Sequence, residues 1–336
     1  MTVRTPVLTR SDEGPRWARI APYAAGGGAL LYGALRTYWA LGHRPFLPPM
    51  GTDLGVMSGW GIVALCAGAA VIAPLTVRVT AGRTAAAVRA LAWAVGAGIV
   101  ASAVLLVLDV VALVFPGIGI PHNAAALSSR AGCAAVGAAL LASALAARRR
   151  ARAACPYCGR TDRSAAHAGH ADEVPRWARI AGYAAVAGCL TRLAAQASVG
   201  FGPSGSPLGR ESTTAGTAFI VCLVLAGTLL PLALVHHWGR VFPRWVPGLA
   251  GRGVPRAVPL VPAWLVAGGL LLYFGISLVE LVIQTAAGSP VAGDGLSAGF
   301  FWAAVGGYVT WGTGLALAAY AYGARTRRAC ARCGRG

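Results

Sequence analysis

Eight apolar stretches dominate this sequence, and each is long enough to cross a bilayer as a helix. A helical span needs about 20 mostly apolar residues. The stretches that meet this requirement are 20–42, 58–77, 90–114, 129–147, 178–200, 215–235, 260–285 and 298–322. Because backbone polar groups find no water in lipid, such a chain must satisfy its hydrogen bonds within helices. We therefore predict an all-α polytopic membrane protein with eight transmembrane helices.

The composition supports a lipid environment. Only 12% of the 336 residues are charged, 57% are hydrophobic, and the mean hydropathy is +0.64. A soluble domain carries about 25% charged residues, so this chain has too few charges to cover a water-facing surface. The net charge of +19 comes from arginines in short clusters between the apolar stretches. Since these clusters form no single patch, the charge does not predict a nucleic-acid partner.

The arginines also predict an orientation. Of the 29 basic residues, all of them arginine, 24 lie in the two terminal segments, in the connections after the second, fourth and sixth stretches, or, for Arg179, at the adjoining edge of the fifth stretch, and only three belong to the opposite side. Cytoplasmic segments of membrane proteins carry this excess. The first apolar stretch is longer than the apolar region of a cleaved signal peptide. We therefore predict a multi-pass protein of a bacterial plasma membrane, with its N and C termini in the cytoplasm.

A tandem repeat divides the chain. The segment from Asp12 to Ala25 recurs from Asp172 to Ala185, with 12 of 14 positions identical. Weaker matches follow in the same order, and each half ends in a Cys-x-x-Cys motif. Each half has four predicted spans, an even number, so both copies insert in the same direction. We predict two parallel four-helix repeats, 1–160 and 161–336, each closing with a cysteine knuckle.

A Pro-Arg-Trp-Ala-Arg box opens the first span of each repeat. Tryptophan and arginine favour the membrane interface, where the ring lies at headgroup depth and the guanidinium meets anionic lipid. The box therefore predicts a bilayer anchor, and a surface for docking a protein partner is the alternative. The residues assigned to anionic headgroups here are Arg16, Trp17, Arg19, Arg176, Trp177 and Arg179.

The connection after the sixth span is rich in arginine, aromatic residues, proline and glycine, which argues against a long helix. Arg240, Arg244 and Trp245 are its candidates for contact with anionic lipid, and a cytoplasmic site for an anionic ligand is the alternative. This connection, together with the Trp-x-Leu-Gly sequence at Trp39 to Gly42, resembles multi-pass membrane proteins of unknown function from high-GC bacteria. The resemblance implies no activity.

Four charged residues lie inside the predicted spans and away from their edges: Arg36, Asp109, Arg192 and Glu280. A charge within the hydrocarbon is costly, so such residues face a protein interior or a cavity and find partners there. Asp109 and Glu280 occupy equivalent positions in the two repeats. We predict that Arg36 pairs with Asp109 and Arg192 with Glu280, either as structural ion pairs or as a proton- or substrate-binding pair.

Two Cys-x-x-Cys motifs predict a metal site. Cys155 and Cys158, and likewise Cys330 and Cys333, are spaced Cys-x-x-Cys and followed by glycine. The spacing lets two thiolates bind one metal, and each motif resembles a zinc-ribbon knuckle, which implies half of a tetrahedral zinc site. Two completions are open: both pairs share one structural Zn²⁺, or the first pair uses His167 and His170. The Cys-Pro-Tyr-Cys sequence also resembles a glutaredoxin motif, which needs a βαβ setting, and thiols without metal are the remaining alternative.

The motifs of common enzymes are missing: the sequence has no Walker loop, no His-Glu-x-x-His and no dinucleotide fingerprint in a strand–helix setting. The sequence favours a non-enzymatic membrane scaffold, sensor or assembly component with a cytoplasmic metal knuckle. The first alternative is a pseudo-symmetric secondary transporter or exporter of a small molecule, and the second is a lipid-modifying membrane enzyme. The sequence identifies neither a protein partner nor a substrate.

Overall fold

A computed structural model describes residues 14–43, 59–116, 123–161, 173–199, 214–242, 248, 250–289, 291, 296–327 and 330–334. These residues form nine α-helices and no strand longer than the isolated bridge between Val241 and Gly253. The helices are α1 Arg16–Ala40, α2 Trp60–Arg78, α3 Gly82–Ser102, α4 Leu106–Val114, α5 Ala124–Ala151, α6 Arg176–Val199, α7 Thr214–Val235, α8 Ala257–Ala286 and α9 Ala298–Arg325. The all-helical prediction is confirmed for this part of the chain.

Five of the described helices are long and apolar enough to cross a membrane: α2, α3, α5, α7 and α8. The arginines in α1 and α6, and the glycines and tyrosines in α9, make those helices less apolar. Helices nevertheless lie at all eight predicted stretches. The membrane-spanning character of α1, α6 and α9 stays a prediction.

The third predicted stretch, 90–114, is two helices and not one. A turn at Ala103–Leu105 separates α3 from α4. The sequence has no proline or glycine at this turn, so it carries no ordinary sign of a helix break. Just before this turn, the Ser102 hydroxyl donates to the Gly98 carbonyl at 2.9 Å. A serine that bonds back to the preceding turn often bends a helix.

The chain forms two compact units. The first contains 1–103, 128–168 and 329–336, and the second contains 104–127 and 169–328. The core of the first unit is built on small side chains such as Ala25, Ala69 and Ala92, with larger ones such as Ile62 and Leu140 between them. Small residues let membrane helices approach closely without a large apolar core.

In the second unit, α6 packs along α9. A Cβ added at Gly188 would lie 2.6 Å from the carbonyl oxygen of Gly307 and 2.6 Å from the amide nitrogen of Trp311. Only glycine fits at this crossing, and the two backbones are in contact as a result. Trp311 and Tyr322 are the largest buried side chains of this unit.

The connection between α7 and α8 is held against α9. A short 3₁₀ helix, His237–Gly239, follows α7. The Tyr322 hydroxyl donates to the Gly239 carbonyl at 3.1 Å. The Val254 amide donates to the Arg240 carbonyl at 2.8 Å, beside the Val241–Gly253 bridge. The described part of this connection contains no long helix, as its proline and glycine content predicts.

Candidate metal centre

Both cysteine knuckles adopt the same turn. In the first, the Gly159 amide donates to the Cys155 carbonyl at 2.8 Å, and in the second, the Gly334 amide donates to the Cys330 carbonyl at 2.7 Å. The two glycines have φ of +74° and +68°. Side chains other than glycine rarely adopt this left-handed conformation, so the glycine after each second cysteine is needed to close the turn.

The two knuckles meet. The Sγ atoms of Cys155, Cys158, Cys330 and Cys333 all lie within 4.8 Å of one another. The Sγ atoms of Cys158 and Cys333 are 3.6 Å apart. A tetrahedral zinc with Zn–S bonds of about 2.3 Å has sulfur–sulfur edges of about 3.8 Å. The four thiols thus have the donor type, number and spacing of a tetrahedral metal site, as the first of the two completions predicts.

Backbone amides prepare the first cysteine of each knuckle as a ligand. The amides of Cys333 and Arg332 donate to the Cys330 sulfur and lower the pKa of this thiol to about 6. At Cys155, burial raises the pKa, but the amides of Cys158 and Tyr157 and hydrogen bonds from the Cys158 and Cys333 thiols lower it, and the net shift of the pKa is downward. Burial raises the pKa of the Cys158 thiol to about 11. Since thiolate is the form that binds metal, the turn stabilises negative charge on one sulfur of each pair.

Two arginines hold the knuckles in place. Arg149, in the last turn of α5, donates to the Pro156 carbonyl at 2.9 Å. Its guanidinium also lies 5.2 Å from the centre of the Trp17 ring. Arg332 of the second knuckle lies 5.2 Å from the centre of the Tyr157 ring in the first. Guanidinium groups at this distance from an aromatic face are attracted to it, so these contacts join α1, α5 and both knuckles.

The sequence only partly predicts these surroundings. The arginine cluster at the end of α5 is visible in the sequence, but the contact between Arg149 and the Pro-Arg-Trp-Ala-Arg box is not.

The glutaredoxin-like alternative lacks its βαβ setting among the described residues, which contain no strand pair around Cys155. His167 and His170, the ligands of the second completion, lie outside the described residues.

Of the four charged residues in the predicted spans, Asp109 lies in α4 and Arg36 in α1. Asp109 is buried in α4, with 1% of its surface exposed. Arg36 is half-buried in α1, 5.6 Å from the centre of the Trp39 ring. Arg36 belongs to the first unit and Asp109 to the second, and their pairing stays a prediction.

The predicted contact between Arg192 and Glu280 is not formed. Arg192 donates instead to Gln196 at 2.8 Å, one turn along its own helix. Glu280 is exposed and accepts a hydrogen bond from Gln284 at 3.4 Å. Each charged side chain is therefore bound by an amide four residues away. Spacing of four along a helix explains both contacts.

The residues assigned to the membrane interface are mostly on the surface. Trp17 and Trp177 are 38% and 47% exposed, and the four arginines of the two boxes are exposed. Pro15 and Pro175 precede the first helical residue, and their carbonyls accept from Ala18 and Ala178. Arg240 is half-buried. Arg244 and Trp245 lie outside the described residues.

Comparisons with known proteins do not assign the chain to a family. No family model matches the chain, and no curated protein or solved structure is significantly similar to it.

Proposed function

We propose that this protein is a non-enzymatic membrane scaffold whose parts are fastened on the cytoplasmic side by one structural Zn²⁺. The observation that carries the proposal is the meeting of four cysteine sulfurs from two distant chain segments within 4.8 Å. Zinc is the metal for which four thiolates in a closed tetrahedron are typical, and a site without an open position is structural, not catalytic. Bound zinc fixes the segment after α9 to the segment after α5.

The proposed topology has eight transmembrane helices in two parallel repeats, with both termini in the cytoplasm. The arginine distribution supports it, because the knuckles, the ends of α5 and α9 and the starts of α1 and α6 all fall on the arginine-rich side. The arginines of the two Pro-Arg-Trp-Ala-Arg boxes then face anionic headgroups, and the zinc site lies in a reducing compartment where thiols persist.

A shared arginine contact supports the repeat. In the first unit, Arg150 at the end of α5 donates to the Thr76 carbonyl near the end of α2, at 3.0 Å. In the second, Arg325 at the end of α9 donates to the Leu234 carbonyl near the end of α7, at 2.9 Å. The repeat aligns Arg150 with Arg325 and α2 with α7. The last carbonyls of a helix lack intrahelical partners, so each arginine satisfies the same need.

Metal analysis of the purified full-length protein tests the metal site. We expect about one zinc per chain from reducing preparations, the stoichiometry of a site with four thiolate ligands. The variants Cys155→Ser and Cys330→Ser should lose the metal, because either one leaves three thiolates. The variant Cys222→Ser, which removes an exposed cysteine of α7, is the matched control and should keep it. Zinc that is absent from the wild type, or retained by both knuckle variants, contradicts the proposal.

Reporter fusions at the two ends test the topology independently of the metal. A fluorescent protein that folds only in the cytoplasm should be bright at both ends. An alkaline phosphatase domain, which needs an oxidising compartment, should be inactive at both ends. A bright fusion at one end and an active phosphatase at the other would require an odd number of spans and would overturn the parallel repeat.

A further inference from the structure

Arg192 is a charged side chain in a mostly apolar helix, and the partner that its guanidinium binds is neutral. The described residues contain three carboxylates, at Asp109, Glu173 and Glu280, and none of them forms a salt bridge with Arg192. Its polar partner is the neutral amide oxygen of Gln196, at 2.8 Å. The Nε atom is buried and has no hydrogen-bond partner. A guanidinium removed from water normally acquires an anion, because its desolvation is costly.

The packing of α6 against α9 determines where this guanidinium lies. A Cβ added at Gly307 would be 3.1 Å from the Arg192 amide nitrogen, so the two backbones touch at this level. The Arg192 side chain consequently runs along the surface of α9. Its guanidinium carbon is 5.2 Å from the centre of the Tyr308 ring and 5.9 Å from that of Phe300.

Other aromatic rings fix the orientation of the Tyr308 ring. Tyr308 stacks on Phe274 of α8 with 3.8 Å between ring centres and an interplanar angle of 13°. It also stacks on Trp311 at 6.1 Å. Tyr308 is therefore held by neighbours on two helices, and the guanidinium rests on a ring that does not need to move when a ligand binds.

We propose that Arg192, oriented by Gln196 and the rings of Tyr308 and Phe300, binds the oxyanion of a phosphate group. A guanidinium presents parallel N–H donors that match phosphate oxygens, and aromatic faces leave those donors free. Arg192 lies seven residues before the end of α6, about 10 Å along the helix axis. This depth is within reach of a lipid phosphodiester, and also of a free phosphate that enters from the same end.

Binding of two probes to the purified full-length protein in detergent tests the proposal and separates the two sources. The first probe is a short-chain phosphatidylglycerol below its micelle concentration, and the second is inorganic phosphate. We expect saturable binding of at least one probe by calorimetry. Binding of the lipid alone identifies a headgroup site, and comparable binding of both identifies a site for free phosphate. A wild-type protein that binds neither probe overturns the proposal.

Variants assign the binding to this arginine. Arg192→Gln should weaken binding at least tenfold. Arg83→Gln, an exposed arginine of α3 that belongs to neither Pro-Arg-Trp-Ala-Arg box, is the control and should bind as the wild type does. If Arg192→Gln does not fold, Arg192→Lys and Phe300→Leu replace it, since each keeps a side chain of similar size but removes the fork or the aromatic face. Unchanged affinity in Arg192→Gln, or in both replacements, refutes the assignment.

Discussion

The Sγ atoms of Cys158 and Cys333 lie 3.6 Å apart, although 175 positions separate these residues in the chain. The first follows α5 and the second follows α9. Their proximity is the clearest long-range relationship in the part of the chain that the structure describes, and it has a chemical consequence. Two thiols at this distance are near enough to be joined by a metal, or by a disulfide after a small movement.

A disulfide should therefore form between these cysteines in the metal-free protein. We expect copper–phenanthroline in air, after removal of metal with a chelator, to oxidise Cys158 and Cys333 to a disulfide while oxygen is reduced. A protease site inserted within 162–172 allows the link to be detected, because the two fragments stay together on a non-reducing gel. Because all four sulfurs lie within 4.8 Å of one another, the double variant Cys330→Ser/Cys333→Ser is needed to release them. Zinc added before the oxidant should slow the reaction, since bound thiolates are protected.

Two of the knuckle cysteines, Cys330 and Cys158, should differ in their reactivity at neutral pH. With its pKa lowered to about 6, Cys330 is mostly thiolate at pH 7 and becomes a thiol as the pH falls through 6. With its pKa raised to about 11, Cys158 is mostly a thiol at pH 7. Iodoacetamide should alkylate Cys330 faster than Cys158 in the metal-free protein, and peptide mass spectrometry between about pH 5 and about pH 9 would measure both rates.

Denatured protein provides the control for that experiment. Unfolding removes the amide hydrogen bonds of the knuckle and the burial of Cys158, so the two alkylation rates should converge. Faster modification of Cys158 than of Cys330 in the folded protein would contradict the assigned order of thiol acidities.

Arg149 should contribute to the stability of the first knuckle. Arg149→Gln removes the hydrogen bond to the Pro156 carbonyl and the contact with the Trp17 ring. We expect a loss of about 1 kcal/mol in the free energy of unfolding, the size of one hydrogen bond at a partly exposed site. Zinc affinity should fall several-fold. Equilibrium unfolding and competition with a zinc chelator would measure the two effects.

Arg148 supplies the comparison for Arg149. It is the preceding residue of the same helix and is exposed. Arg148→Gln removes the same charge without the two contacts, so its stability and zinc affinity should match those of the wild type. Equal losses in both variants would mean that net charge matters and that the contacts of Arg149 do not.

The crossing of α6 and α9 should tolerate no side chain at Gly188. A methyl group there would meet the backbone of both Gly307 and Trp311 at 2.6 Å. We expect Gly188→Ala to lower the free energy of unfolding by about 1–3 kcal/mol, the usual cost of overpacking. Gly268 of α8 has no atom within 4 Å of its added Cβ. Gly268→Ala should be neutral or stabilising by up to about 1 kcal/mol, and unfolding in mixed detergent would compare the two.

The sequence predicts much of this fold because apolar length is a local property. All eight stretches contain helices, and the spacing of each cysteine pair predicts a knuckle turn. The break between α3 and α4 was missed, since no proline or glycine marks Ala103–Leu105 in the sequence. The partner of Arg192 was also missed. The predicted partner was an opposite charge on another helix, whereas the observed acceptor, Gln196, lies on the same face of the same helix one turn away.

The candidate metal centre could also be predicted only in part from the sequence. Each pair of ligands can be recognised from its spacing, and the repetition of the motif suggests that the pairs meet. Arg332 and Tyr157 touch across the two knuckles, and Arg149 touches Trp17. Such contacts join residues from segments far apart in the chain, so neither spacing nor composition contains them. Only the folded arrangement of the helix ends brings them together.

The first unit includes residues 329–336, which follow the last helix of the second. This arrangement sets an order of events during synthesis. A ribosome that has made α1 to α5 has produced only half of the thiols of the candidate metal centre, and the other half emerge after α6 to α9. A nascent chain cannot complete the centre early, and a message truncated before Cys330 yields a product that binds no metal in this way. Metal held by all four sulfurs would thus report that translation has passed Cys333.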